Sequence, residues 1–343
     1  MSSRTPVSFG LIGCGRIGTY HATTLARRIT ESTLVSVADP IESSARRLGE
    51  SLGVEWQTDP QALIDDPRIE AVAITCASTA HAELVVGAAR AGKAVFVEKP
   101  MAMTLPDADR AIAAVAAAGV PLQVGFNRRF ALDFAAARQS VSAGRVGTPQ
   151  LLRSLTRDPG LANPGAVPPW TIFTQTLIHD FDALNWFNDG SRAVEVSVMA
   201  DALVAPDFKS AGLLDTAVVT IRYDNGAIGV AEASFSAAYG YDVRAEIFGS
   251  RGMVQAGSPA RLTASLWTAE GVAAHTARTD TELFGEAYAA ELATFCAAVR
   301  AGTPTVVDGS DARAALRIAL ACIEAVDTGG TVAVRDSDRG VVA

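Results

Sequence analysis

Hydrophobic residues fall into two different rhythms along the chain. Up to about residue 126, short unbroken apolar runs alternate with longer segments in which apolar residues recur every three or four positions. The runs are VSFGLI (7–12), LVSVA (34–38), AVAIT (71–75), AVFVE (94–98) and LQVGF (122–126). The periodic segments between them cover 17–29, IESSARRLGESL, and about 80–91 and 106–118. An unbroken apolar run is a strand buried on both faces, and the longer period is a helix with one apolar stripe. Alternating strands and helices predict a parallel sheet covered on both sides, and right-handed crossovers make it a doubly wound Rossmann sheet.

From about residue 150 the rhythm shortens to alternation. QLLRSLTRD, AVEVSVMADAL, DTAVVTIRY, AIGVAEASFSA, DVRAEIFGS, GMVQAG and RLTASLW read as strands with one apolar face, and Asn225–Gly226 is a hairpin signal. They predict a large, mostly antiparallel open sheet in an α+β domain, with helices on one face and the other free to pair with a second subunit. Helices at about 285–301 and 310–327 close the chain. Two domains are therefore expected: an NAD-binding domain over 1–124, and a substrate-binding and oligomerisation domain over 125–343. PGLANPGAVPP (159–169) is long enough to be a substrate lid.

Candidate chemistry clusters at the ends of the first-half strands. In GCGRIG, Gly13 permits a tight turn, Gly15 lets the backbone approach a pyrophosphate and Gly18 lets helix and strand pack closely. The backbone N–H groups of Arg16, Ile17 and Gly18 open the helix toward the phosphates. Asp39 ends the second run, about 20 residues on, where a carboxylate accepts the adenine-ribose hydroxyls and repels a 2′-phosphate. NAD is thus expected over NADP, although Arg46 and Arg47, solvated or phosphate-binding, keep NADP open. Thr75, Ser78 and His81 lie in the next strand-to-helix turn, on the sheet edge where ligands bind. Ser78 or Thr79 could cap the helix, and His81 suits a helix-start hydrogen bond as well as a cofactor contact. Glu98 and Lys99 follow buried strand residues and precede Pro100. A lysine there can move protons, but a surface lysine before a turn fits the residues equally. In FTQTLIHDFD (173–182), a helix places Gln175 and His179 on one face with Asp182 nearby, and a lone histidine in such a helix is more often a core residue.

Composition narrows the function. Of 343 residues, 49% are hydrophobic and 19% charged, which builds large cores and excludes a disordered chain. A net charge of −8 without a dense basic run argues against nucleic acid and anionic membranes. No apolar stretch approaches the ~18 residues of a span. Four cysteines without a CxxC pair, and a start without a signal-peptide core, point to reduced thiols in the cytoplasm. The four histidines are dispersed without ligand spacing, so no metal is expected.

Taken in order, GLIGCGRIG, VADP, VEKPM, GFNRRF (125–130), TRDP (156–159), LIHDFDALNWF and YGYDVRAEIFGSRGM resemble the glucose–fructose oxidoreductase/inositol dehydrogenase/MocA family over almost the whole chain, with the inositol 2-dehydrogenase branch nearest. The resemblance implies that Lys99 takes a substrate hydroxyl proton as hydride leaves for the nicotinamide. It implies that His179 hydrogen-bonds that hydroxyl or relays the proton, that Glu98 and Lys99 lie at the cofactor, and that Asn127, Arg128, Asp158 and Tyr239 or Tyr241 line a polyol pocket. It implies a homotetramer. The chain departs from the pattern at Gln175, where the family has an aspartate. Glutamine can orient a hydroxyl but cannot ionise, so the lysine ammonium loses a stabilising charge. The expected reaction converts a ring hydroxyl of a cyclic polyol or sugar to a ketone or lactone. Two other readings are a non-catalytic dinucleotide sensor and an enzyme that cycles tightly bound NAD.

Overall fold

The structure is a computed structural model and describes residues 5–161 and 163–336. The chain forms two compact units: one takes in residues up to Asn127 together with Glu286–Arg313, the other Arg128–Gly285 and Ala314–Asp336. The first division falls close to the 124/125 boundary read from the sequence. The return of Glu286–Arg313 to the first unit is not visible in a linear reading. Its cause is packing: Leu292, Phe295 and Cys296 complete the core built by Phe9, Leu11, Leu25 and Phe96.

In the first unit β1 (Val7–Ile12), β2 (Ser32–Ala38), β3 (Glu55–Gln57), β4 (Ala71–Ile74), β5 (Ala94–Glu98) and β6 (Leu122–Gly125) form a parallel sheet in the order β3-β2-β1-β4-β5-β6. Every residue of β4 and β5 is buried, which is why their sequences are unbroken apolar runs. The helices between strands are α1 (Arg16–Arg27), α2 (Glu42–Leu52), α3 (Pro60–Ile64), α4 (His81–Arg90) and α5 (Leu105–Ala118). Local signals set their ends: for α5, the Thr104 hydroxyl accepts the Asp107 N–H, Pro106 sits in the first turn, and Gly119 closes the helix at φ +65°. Strand order reverses between β1 and β4, and the crevice at their carboxyl ends is where such sheets bind ligands. The short, largely exposed EWQ strand β3 has no apolar run to announce it.

The second unit holds a seven-stranded sheet: β7 (Pro149–Arg157), β8 (Ala193–Asp201), β9 (Thr216–Tyr223), β10 (Ile228–Ser234), β11 (Asp242–Gly249), β12 (Gly252–Ala256) and β15 (Val332–Ala333), in the order β12-β11-β7-β10-β9-β8-β15. β7 and β10 pair parallel and the other neighbours antiparallel. β13 (Ala260–Thr268) and β14 (Gly271–Thr276) make a separate two-stranded ribbon. The Asn225–Gly226 turn joins β9 to β10, with Gly226 at φ +88°. In β9, Ala217, Val219, Ile221 and Tyr223 are buried while Val218, Thr220 and Arg222 face out. The helices of this unit are α6 (Leu132–Ser142) and α7 (Ile178–Phe187). α8 (Asp280–Ala301) and α9 (Gly309–Thr328) are divided between the units. On the opposite sheet face Ile228, Leu151, Phe248 and Met253 sit side by side across four strands, 42–50% exposed.

Candidate active site

The glycine turn between β1 and α1 is shaped by close approach. Gly13 has φ +101°, and a Cβ there would lie 2.4 Å from the Cys76 amide nitrogen. A Cβ on Gly18 would lie 1.8 Å from the Gly13 carbonyl oxygen, so α1 can pack on the turn only with glycine at that point. Gly15 differs: a Cβ there meets nothing within 4 Å. The protein's own packing does not require glycine at 15, and its backbone is left open to the approach of a phosphate. The first bond of α1 runs from the Thr19 N–H to the Gly15 oxygen at 2.9 Å, so the amides of Arg16, Ile17 and Gly18 precede the helical ladder.

Asp39 ends β2 and is tied to this turn. Its Oδ2 accepts the Cys14 N–H at 2.7 Å and its Oδ1 the Ile41 N–H at 2.9 Å. Each oxygen keeps lone-pair capacity for a ribose hydroxyl. The residues therefore fit a dinucleotide: room at Gly15, helix-start amides, and a carboxylate at the ribose position. Arg46 pairs with Glu50 on the exterior of α2.

The Thr75 hydroxyl donates to the Gly13 carbonyl at 2.8 Å, so its side chain braces the glycine turn from below. Ser78 lies in a 3-10 turn, Ser78–Ala80, ahead of α4, and neither Ser78 nor Thr79 caps the helix. His81 is buried with both ring nitrogens facing carbonyls, Nδ1 2.8 Å from Pro100 O and Nε2 3.1 Å from Cys76 O. Burial pushes its pKa down against those carbonyls, so the ring is neutral at physiological pH. His81 thereby pins the turn after β5 to the loop after β4.

That turn carries Glu98, Lys99 and a cis Pro100. Lys99 is half-buried at the carboxyl end of β5. Glu98 is buried, its Oε1 2.8 Å from His21 Nε2, and its Oε2 accepts the Lys99 backbone N–H at 3.1 Å. Burial opposes the Glu98 charge, but the hydrogen bond and charge of His21, then the charge of Lys99, outweigh it and hold the carboxyl below its ordinary range. A third group completes the cluster. Glu291 from α8 is fully buried, and ligand-type atoms of His21, Glu98 and Glu291 lie within 4.8 Å of one another. Burial, then the Glu98 charge, push Glu291 well above its usual range. Sequence reasoning missed this trio, although a lone glutamate in the apolar helix AYAAELATFCAAV was a signal for it. It is also the one group among the described residues with the makings of a metal site, where the sequence spacing suggested none.

In the second unit the opening of α7 is unusual. The segment Ile172–Thr176, which contains Gln175, is a π-helical turn, with the Leu177 N–H reaching back to Ile172 O at 2.8 Å. Regular α-helix follows from Ile178. Gln175 and His179 are both half-buried while residues 176–178 and 180–184 between and beyond them are buried. The two acids after the histidine, Asp180 and Asp182, are engaged by arginines. Arg128 donates to Asp180 at 2.7 Å and to Thr156 at 2.5 Å, and Ser154 and Thr156 donate to the same carboxylate. Arg129 grips Asp182 through two bonds. Consecutive arginines thus anchor α7 from beneath. Arg128, which the resemblance placed in the polyol pocket, is 3% exposed and turned onto this network.

Asp158 and Tyr241 remain together. Tyr241 donates to Asp158, and burial, then the Asp158 charge, hold the phenol well above its ordinary pKa, so it stays protonated. Tyr239 instead is 47% exposed and bonded to Asp242 and Arg157. Asn127, the last residue of the first unit's main segment, is buried. The four cysteines are free, and burial raises Cys14 and Cys296 to about 12 and Cys76 to about 11, so all three are weak nucleophiles. No helix among the described residues is long and apolar enough to cross a membrane.

Comparison with known proteins bears on both halves. Residues 7–126 match the GFO_IDH_MocA model, an oxidoreductase family with an NAD-binding Rossmann fold, and residues 134–255 match the GFO/IDH/MocA C-terminal domain. The chain is 38% identical to a myo-inositol 2-dehydrogenase of Thermotoga maritima, over 93% of this chain and 96% of that one. It is 34% identical to an NAD(+)-dependent scyllo-inositol 2-dehydrogenase of Bacillus subtilis, over 94% and 95%. Its structure superposes on that of scyllo-inositol dehydrogenase from Lactobacillus casei with bound NAD(H) and scyllo-inositol. The TM-score is 0.90 at 27% identity, covering 96% and 99% of the two chains.

Proposed function

The chain belongs to the GFO/IDH/MocA family of oxidoreductases, and from that premise we propose that it oxidises a ring hydroxyl of an inositol-like polyol or sugar to the ketone or lactone with NAD⁺. NAD⁺, when bound, accepts the hydride. The glycine turn and Asp39 hold the dinucleotide, by backbone amides and ribose hydroxyls respectively. Lys99, in its neutral form, accepts the proton of the reacting hydroxyl. His179 hydrogen-bonds that hydroxyl, and Gln175 orients a neighbouring one through its amide. Asp158 and Tyr241 bind further hydroxyls as a matched acceptor and donor. Arg128 and Arg129 hold α7 in place.

The observation that carries this reading is the pairing of a Gly15 backbone left open by its own protein with a half-buried lysine at the carboxyl end of the strand one beyond the switch point. The test is incubation of purified protein with a panel of inositols and aldoses and free NAD⁺. Accumulating NADH supports a dehydrogenase. No NADH would favour a sensor or an enzyme that recycles bound cofactor.

The reading includes assembly. The apolar row Ile228–Leu151–Phe248–Met253, exposed across four neighbouring strands, would be covered by a second copy of the chain, as in a homotetramer. Light scattering checks this, since a monomer mass would exclude it. A cytoplasmic location goes with this role in small-polyol metabolism, and fractionation of cells tests it.

A further inference from the structure

We propose that Trp170, held in a left-handed backbone, is the positioning residue that sets the π-helical turn ahead of α7 and so brings Gln175 and His179 into line. The inference rests on the reading of those two side chains as the substrate-binding face of the second unit. Among the described residues Trp170 is the one non-glycine with positive φ, at +62°. A large L-residue rarely adopts that conformation, because its Cβ crowds the following carbonyl oxygen. It persists only where the flanking chain over-determines it, and such outliers gather at functional sites.

Both flanks of Trp170 are fixed. Before it, Pro168 and Pro169 have preset φ, and Pro169 lies against Gly212, where a Cβ would sit 3.0 Å from the proline ring. The 3-10 segment Pro206–Ala211 leads to Gly212 from a loop anchored by Asp215. The Asp215 carboxylate, 0% exposed, accepts the backbone N–H groups of Leu203, Val204 and Ala205. After Trp170, its carbonyl accepts the Phe173 and Thr174 N–H groups, each at 3.0 Å, and the Thr174 hydroxyl at 3.1 Å. One carbonyl thus takes donors that the start of the helix leaves over. The turn that follows is wider than an α turn, since the Leu177 N–H passes over Phe173 and bonds to Ile172. Burial shows the effect. From Thr171 to Leu184, only Thr171, Gln175 and His179 are half-buried, and every other residue is buried. Side chains four apart on an α-helix drift by about 40°. The wider turn winds back the other way, so the three share one face. A residue at 170 that could not turn left-handed would shift the helix start, and with it the face that presents Gln175 and His179.

The experiment compares the wild type, Trp170→Val and Trp170→Gly in NAD⁺-dependent inositol oxidation and in NAD⁺ binding. Valine is branched at Cβ and resists positive φ, whereas glycine adopts it freely. Trp170→Val should lose about tenfold or more in kcat/KM for the polyol, with the Kd for NAD⁺ unchanged. Trp170→Gly, which keeps the backbone, should recover most of that loss. A glycine variant as impaired as the valine one, a valine variant with wild-type kcat/KM, or a parallel loss of NAD⁺ binding would overturn the proposal. Should Trp170→Val fail to fold, Trp170→Ala takes its place, because alanine too resists positive φ. Crystal structures of the same pair give a readout that needs no turnover. The Leu177 N–H should leave Ile172 in the valine or alanine variant and stay on it in the glycine variant, and a π turn unchanged in both would overturn the proposal. Absence of any wild-type turnover would instead reject the dehydrogenase reading, and the crystal structures would still decide this one.

Discussion

Arg128 donates to Asp180 across 2.7 Å with both side chains at most 3% exposed. One residue before Asp180 stands the histidine assigned to substrate, so this ion pair fixes the helix that presents it. Breaking such a pair leaves a buried guanidinium without its counter-charge. Asp180→Asn should lower the unfolding free energy by about 3 kcal/mol or more, read by denaturant titration. A change within error would show that Thr156 and the asparagine amide suffice.

The glycines at 15 and 18 separate ligand from fold. Gly18→Ala drives a methyl into the Gly13 carbonyl and should destabilise the protein by about 3 kcal/mol. Gly15→Ala meets no protein atom and should leave Tm nearly unchanged without cofactor, yet weaken NAD⁺ binding about tenfold or more. Calorimetric titration and thermal melts distinguish the two.

Much of this was legible in the sequence. Unbroken runs identified five of the six parallel strands, alternation identified the second sheet, and the glycine spacing identified a turn at which Gly13 and Gly18 leave no room for a side chain. What the sequence hides are partners far apart along the chain. His21 and Glu98 are 77 residues apart, and Arg128 and Asp180 are 52 apart. Nothing local in GFNRRF announces that Arg128 will pair with Asp180 and Arg129 with Asp182. The same holds for α8, whose apolar face reads as a helix but not as part of the first core. The π-turn at Ile172–Thr176 has no sequence rhythm of its own.

Acid sensitivity follows from Glu70. Its hydrogen bonds to Arg300 hold it at about 2, below an ordinary value of 4.5. A depressed carboxyl stabilises the fold above its unfolded pKa, and that contribution is lost as pH falls through the folded value. Glu70 is 45% exposed, so screening limits the effect to about 1 kcal/mol. Glu70→Gln should be less stable by that amount at neutral pH and converge on the wild type near pH 2. Denaturant titrations across that range check it.

The resemblance implies an aspartate where this chain has Gln175, which cannot ionise. If the glutamine amide acts beside the lysine base, Gln175→Asp adds a charge that favours ammonium. The acid limb of oxidation should then move to higher pH, and the preference among inositols should change. An unchanged pH profile together with an unchanged substrate panel would remove Gln175 from the site.

The most direct test of the account is NADH formation by wild type and Lys99→Met with the inositol panel, alongside NAD⁺ binding by both. NADH should accumulate with the wild type, and the variant should bind NAD⁺ normally while its rate falls by about 10²-fold or more. A variant that turns over at the wild-type rate, or a wild type that makes no NADH from any of the polyols, would contradict it.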